Sequence, residues 1–181
     1  NMVMLGWPGD DAGRLGRLLG LVRRMTALEK STMIVRPVKG SRAKGNGEIV
    51  VWWKGKQNNG DMMLLLGHLL NLAPGWRSNR LVLKSVADDE QMAEEVRGAF
   101  SSMLPDLRMD VRLEVILKPA DQTHREVIRE ASKDADMVFL GMAVPGVGIE
   151  RTYAESLMGL LEGLPSTILV RNASRFNGRL V

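Results

Sequence analysis

The sequence predicts an α/β domain, a doubly wound and mostly parallel sheet, and three observations carry that prediction. Short apolar runs alternate with helix-length segments, and the connections are too long for hairpins. Apolar residues in the long segments recur at helical spacing, whereas the short runs are continuous or alternate with period two. An internal repeat, finally, places strand-helix-strand units at both ends of the chain. Met2-Val3-Met4-Leu5-Gly6 matches Met137-Val138-Phe139-Leu140-Gly141, and Ser31-Thr32-Met33-Ile34-Val35-Arg36 matches Ser166-Thr167-Ile168-Leu169-Val170-Arg171, both at an offset of 135 positions.

Met2 to Trp7 reads as a buried strand ended by Pro8 and Gly9. Asp10 or Asp11 caps the next helix, whose stripe is Leu15, Leu18, Leu19, Val22 and Met25. Thr32 to Val38 is a strand, with Pro37 marking an edge or a strand end. Lys39 to Gly47 is polar, glycine-rich and without apolar period, which predicts a mobile linker. The predicted division is therefore 1–38 as the closing βαβ piece of a first repeat, 39–47 as linker, and 48–181 as a complete second module. On this reading the chain begins inside a repeat and is a fragment of something longer.

The second module opens with a strand, Ile49 to Trp53, in which Trp52 and Trp53 point to opposite faces and so ask for burial on both sides. A polar turn, Lys54 to Asp61, offers Asn58, Asn59 and Gly60 for a helix start. Met62 to Leu70 is apolar nearly all round, so the helix lies between layers or meets another subunit with its outer side. Arg80 to Val86 alternates as a strand, and Asp88 and Asp89 cap a helix through Met92, Val96, Phe100 and Met103. Val111 to Leu117 is a period-two strand, and Asp121 or Thr123 starts a helix with Val127, Ile128 and Ala131. Met137 to Leu140 is a fully apolar strand, Val144 to Gly148 a loop, Thr152 to Leu161 a helix, and Ser166 to Arg171 the last strand.

Composition excludes several classes of function. The chain has 181 residues, a net charge of +4 and no cysteine, so disulfides, thiol catalysis and cysteine-metal sites are absent. Lys and Arg are interspersed with Asp and Glu and aromatics are few, which argues against nucleic acid. No apolar run approaches the ~20 residues that span a bilayer, so no membrane insertion by this chain is expected. His68 has no second ligand three or four positions away, and no Ser/His/Asp set, carboxylate pair or metal-ligand spacing stands out. No metal site and no enzymatic activity are expected.

The block Val51-Trp-Trp-Lys-Gly-Lys-Gln-Asn-Asn-Gly-Asp-Met-Met-Leu-Leu-Leu66, the Ala73-Pro-Gly-Trp-Arg77 that follows and the closing STILVRNASRFNGRLV resemble the prokaryotic cation–chloride cotransporters, within the amino acid permease-like superfamily. The resemblance runs from about Met2 to the end. It implies a C-terminal cytosolic domain on the cytoplasmic face of the cell membrane, regulating a transmembrane part of the same transporter that symports chloride with potassium or sodium. It also implies a homodimer, for which Met62, Met63, Leu66 and Leu70 are the candidate surface.

The last βαβ, Ala135 to Arg171, resembles the end of a universal stress protein, a fold in which a glycine loop holds ATP phosphates on backbone N–H groups. Gly141, Gly146 and Gly148 are the candidate nucleotide-binding residues. The family's phosphate motif is incomplete here: position 144 is Val, no Gly-Ser or Gly-Thr starts the helix, and Glu150 and Glu155 would face the phosphates with like charge. No cofactor is therefore expected, and ATP, the one candidate, is predicted to bind weakly or not at all. The alternatives are a stand-alone nucleotide-binding stress protein and an enzyme with a polar pocket at the strand C-terminal ends.

Overall fold

The computed structural model describes residues 1–39, 47–54, 59–103 and 109–173. Most of the predicted linker lies outside the described residues, as does much of the turn before the apolar helix. Among the described residues the order is β1 (Met2–Gly6), α1 (Ala12–Ala27), β2 (Ser31–Arg36), β3 (Glu48–Trp52), α2 (Asn59–Leu72), β4 (Arg80–Ala87), α3 (Glu90–Met103), β5 (Arg112–Leu117), α4 (His124–Glu130), β6 (Ala135–Gly141), α5 (Glu150–Leu161) and β7 (Thr167–Arg171). Local chemistry fixes the helix starts. Asp11 accepts from the Arg14 N–H at 2.6 Å and Asp89 from the Met92 N–H at 2.8 Å. Thr123 and Glu126 form a reciprocal capping box on α4.

The strands form one seven-stranded sheet in the order β1-β2-β7-β6-β3-β4-β5. The five strands of the second module run parallel in a doubly wound, universal-stress-protein-like order. β1 and β2 are parallel to each other, but β2 joins β7 antiparallel. Pro37 marks a strand end, because β2 lies inside the sheet and stops at Arg36.

Alternation along β3 divides the core. Val50 and Trp52 face a layer holding Leu15, Leu19 and Val22 of α1, Val127 of α4 and Leu157 of α5. Ile49, Val51 and Trp53 face the opposite layer, with Met62, Met63 and Leu64 of α2 and Val96 and Phe100 of α3. Each Trp is less than a tenth exposed, as the two-faced burial of their strand requires. The Trp52 indole N–H donates to Ser132 Oγ at 2.9 Å, so its polar edge is satisfied inside the core. Gly67 lets α2 lie close on the sheet: a Cβ there would sit 3.0 Å from Leu81 and 3.3 Å from Val51.

A buried lysine sits on β4, in register with Trp52. Lys84 of β4 is 6% exposed. Its ammonium donates to the Ala131 carbonyl at the C-terminal end of α4 (2.8 Å) and lies 3.1 Å from Glu48 and 3.4 Å from Glu114. One cation thus ties three neighbouring strands to a helix C-terminus, where positive charge is favoured.

The repeat read in the sequence is also present in the register. Val3 pairs with Thr32 and Val138 with Thr167, and the next three pairs of β1–β2, through Gly6 and Val35, have their counterparts in β6–β7 at the 135-residue offset. The hydrogen bond leaving the first strand recurs too: Trp7 N–H to Val35 O and Met142 N–H to Val170 O, both 2.9 Å. Across the antiparallel seam Ile34 lies opposite Leu169, its own equivalent, with Thr32 opposite Arg171 and Arg36 opposite Thr167. That is the pattern of a local two-fold axis through Ile34 and Leu169. Gly16 of α1 approaches the backbone of Arg151, again its own equivalent, within about 3.5 Å of where a Cβ would stand.

Candidate functional site

In a doubly wound sheet, ligands bind outside the strand C-terminal ends where the strand order reverses. Here that place is between β3 and β6. From β3 the chain builds outward through β4 and β5, then returns to β6 and β7 on the other side. A cavity of about 290 Å³ lies there, bounded among others by Trp52, Trp53, Asn59, Met63, His124 and Leu140, with Lys54 exposed at its mouth. Its walls are mainly apolar, and its polar groups are few.

Asn59, in the first turn of α2, is the most constrained of them. It is buried, its Nδ2 donates to the Met142 carbonyl at 3.3 Å, and its Oδ1 accepts from the Asn172 N–H at 2.8 Å. One side chain therefore joins the start of α2 to the chain leaving β6 and the chain leaving β7. Gly141 is small for this reason: a Cβ there would stand 3.0 Å from the Asn59 amide nitrogen. Asp61, also in the first turn of α2, has its carboxyl pushed up by burial.

Three N–H groups in and just after the glycine loop that follows β6 are engaged within the chain. The Ala143 N–H donates to the Tyr153 hydroxyl at 2.9 Å, and the Gly148 N–H to the Glu150 carboxylate at 2.7 Å. The Ile149 N–H points to the Gly146 carbonyl at 3.5 Å. Gly148 has φ of +87°, a left-handed turn that brings its N–H onto Glu150. Glu150 is in turn paired with Arg23 of α1, and that guanidinium, then its own backbone N–H and that of Gly148, hold its carboxyl below the ordinary value. A carboxylate thus occupies the Gly148 N–H, one of the donors that a phosphate in this loop would use. Burial pushes the Tyr153 phenol above its ordinary value, opposed by the Ala143 N–H and by Arg171.

The other candidates separate. Gly141 meets Asn59, Gly148 meets Glu150, and exposed Gly146 lies near only the Ile149 side chain, 3.7 Å from where its Cβ would be. Met62 and Met63 face the core of their own chain at 8% and 3% exposure, whereas Leu66 and Leu70 are half-buried on the flank of α2. His68 is half-buried on the same helix, and His124 lies 3.4 Å from Asp88 at the surface. Among the described residues no three His, Asp or Glu side chains converge as metal ligands. The sequence marked Asn59 as a capping residue; its reach to Met142 and Asn172 joins positions 83 and 113 residues away, for which one sequence holds no signal. The Arg23–Glu150 and Tyr153–Ala143 links were missed for the same reason.

No protein-family model matches the sequence. The structure is similar to the crystal structure of the cytoplasmic domain of a prokaryotic cation chloride cotransporter, with a TM-score of 0.74 and 15% sequence identity over 99% of this chain. The chain spans 66% of that structure's length. At this identity the likeness is one of fold, and the fold expected from the cotransporter resemblance is the fold found.

Proposed function

We infer that the chain is a cytosolic regulatory and assembly domain of a membrane symporter that moves chloride with potassium, sodium or both. The observation that carries this reading is the overlay of nearly the whole chain on a cotransporter's cytoplasmic domain. Motif resemblance in the strand–turn–helix block supports it independently of the overlay. Among the described residues no helix is long and apolar enough to cross a membrane, so ion movement belongs to another part of the transporter. A role without catalysis belongs to this reading, and the mainly apolar walls of the cavity at the switch point accord with it. The alternative stress-protein reading needs free phosphate donors, and the Glu150–Gly148 bond weighs against it.

An antibody raised against this chain tests the reading. It should detect an integral membrane polypeptide well above 20.0 kDa, and reconstitution of that polypeptide should give chloride-dependent rubidium or sodium uptake. A 20.0 kDa species confined to the soluble fraction would overturn the proposal. The reading also carries a homodimer. Sedimentation of the isolated chain at micromolar concentrations should show a two-copy species, and a strict monomer would remove the dimer from the proposal while leaving the transporter assignment to the antibody test.

A further inference from the structure

The cavity at the switch point is apolar along most of its wall. Met63, Val86 and Leu140, each less than a tenth exposed, line it together with Ile128 and Leu160. At about 30 Å³ for each water-sized group, its 290 Å³ hold a molecule of roughly ten non-hydrogen atoms. Several polar groups of the wall are already used. Asn59 spends both ends of its amide on Met142 and Asn172, and the Trp52 N–H is taken by Ser132. His124 faces Asp88 at 3.4 Å, and Lys118 stands 4.0 Å from the same carboxylate, so the charge of Asp88 is balanced.

Two side-chain donors stand apart from these. Trp53 is 8% exposed, yet its indole N–H has no hydrogen-bond partner among the described residues, a condition that buried tryptophans normally avoid. Gly60 leaves that edge of the ring without a covering side chain: a Cβ there would stand 2.5 Å from Trp53 Nε1. Lys54, next in sequence and exposed at the mouth, has no ion pair among the described residues. An N–H and an ammonium beside an apolar hollow suit a carboxylate, whose two oxygens can accept one bond from each. A cationic ligand would meet Lys54 with like charge. A phosphate ester asks for more donors, and the Gly148 N–H is held by Glu150.

We propose that this cavity is a binding site for a small monocarboxylate with an apolar body. The ring or chain lies against Met63, Val86 and Leu140, and the carboxylate accepts from Trp53 Nε1 and Lys54 Nζ. The site joins the end of β3 to the starts of α2 and α4, so an occupant touches elements of both core layers. This inference rests on the cavity and not on the transporter reading, which the antibody test decides separately.

Hydrocinnamate is the probe, with hydrocinnamamide and phenethylammonium as its neutral and cationic analogues. Calorimetric titration of the 181-residue chain should give one saturable site with a Kd at or below about 1 mM for the carboxylate. The amide should bind at least about fivefold more weakly, because it forfeits the charge-assisted bonds. In proton–nitrogen correlation spectra the Trp53 indole resonance, assigned by its loss in Trp53→Phe, should move on titration. Lys54→Met, at an exposed position whose fold is checked by circular dichroism, should weaken carboxylate binding at least about threefold and leave amide binding as it was. Absence of saturation by about 10 mM would overturn the proposal. So would equal binding of the amide or of phenethylammonium, an unmoved Trp53 resonance, or unchanged carboxylate affinity in Lys54→Met.

Discussion

Replacing Asn59 with alanine removes both hydrogen bonds that join α2 to the ends of β6 and β7. The Oδ1 bond to the Asn172 N–H, at 2.8 Å, is the shorter, and the Nδ2 bond to the Met142 carbonyl, at 3.3 Å, the longer. Both partners lie in buried backbone, where the loss of a partner costs roughly 1–3 kcal/mol per group. Weighting the long bond to the low end gives a total of about 2–4 kcal/mol for Asn59→Ala. With a urea slope near 2 kcal/mol/M for a domain of this size, the unfolding midpoint should fall by about 1–2 M. Asn59→Asp separates the two bonds. It keeps the acceptor for the Asn172 N–H and sets a negative charge in the first turn of α2, worth roughly 0.3–1 kcal/mol. It loses the donor to Met142 and places an oxygen against that carbonyl. The aspartate variant should therefore be less damaged than the alanine one. Urea melts followed by near-ultraviolet circular dichroism report the tryptophans beside the site. An alanine variant within about 0.5 kcal/mol of the parent, or an aspartate variant as damaged as alanine, would refute this account of the site.

Four further outcomes follow from the geometry. Glu150 has its carboxyl held low chiefly by Arg23, so its contribution to stability is complete above the ordinary value of 4.5 and is lost as pH falls through the lower folded value; Glu150→Gln should flatten that acid limb in pH-dependent melts. Tyr153 is the one tyrosine of the chain, and burial raises its phenol, so absorbance titration should give a midpoint above 10.0 and stability should decline as pH rises past that value. Lys84→Met strands the Ala131 carbonyl and leaves Glu48 and Glu114 without their shared cation; because both carboxylates retain some solvent, the cost in chemical denaturation should be about 1–3 kcal/mol, below that of breaking a fully dry pair. Titration calorimetry with ATP and ADP should show no tight site, and low-micromolar binding abolished by Gly146→Val would reverse that reading.

Much of this architecture was legible because it is written in side-chain period. The Trp52-Trp53 pair announced a strand covered on both faces, and each tryptophan lies in a different core layer. Thr123 with Glu126, and Asp89 before its helix, are local signals resolved within three residues. Lys84 was not legible, since in an alternating run it reads as the polar face of a half-exposed strand. Its burial depends on Glu48, Glu114 and Ala131, brought together only by sheet and helix packing. The antiparallel β2–β7 seam was likewise hidden, because apolar period carries no strand direction. At the candidate site, the glycines were visible and the groups that use their N–H groups were not. Glu150 was read as facing a phosphate with like charge, and it instead accepts from Gly148.

The seam through Ile34 and Leu169 also has an ancestry in it. Two identical molecules that meet through one strand form an isologous contact, in which each residue faces its counterpart across a dyad. The β2–β7 register has that form within a single polypeptide, as expected if a gene for half of such a pair was duplicated and fused. Fusion releases the halves from identity. Arg23 pairs with Glu150 across the axis, yet the symmetry-related positions are Met158 and Leu15, an apolar couple. Two separate copies of one gene product would have to carry the same residues on both sides of the dyad. A fused chain can place a charge pair on one side and a methionine and a leucine on the other, so that its two halves are free to take on different work.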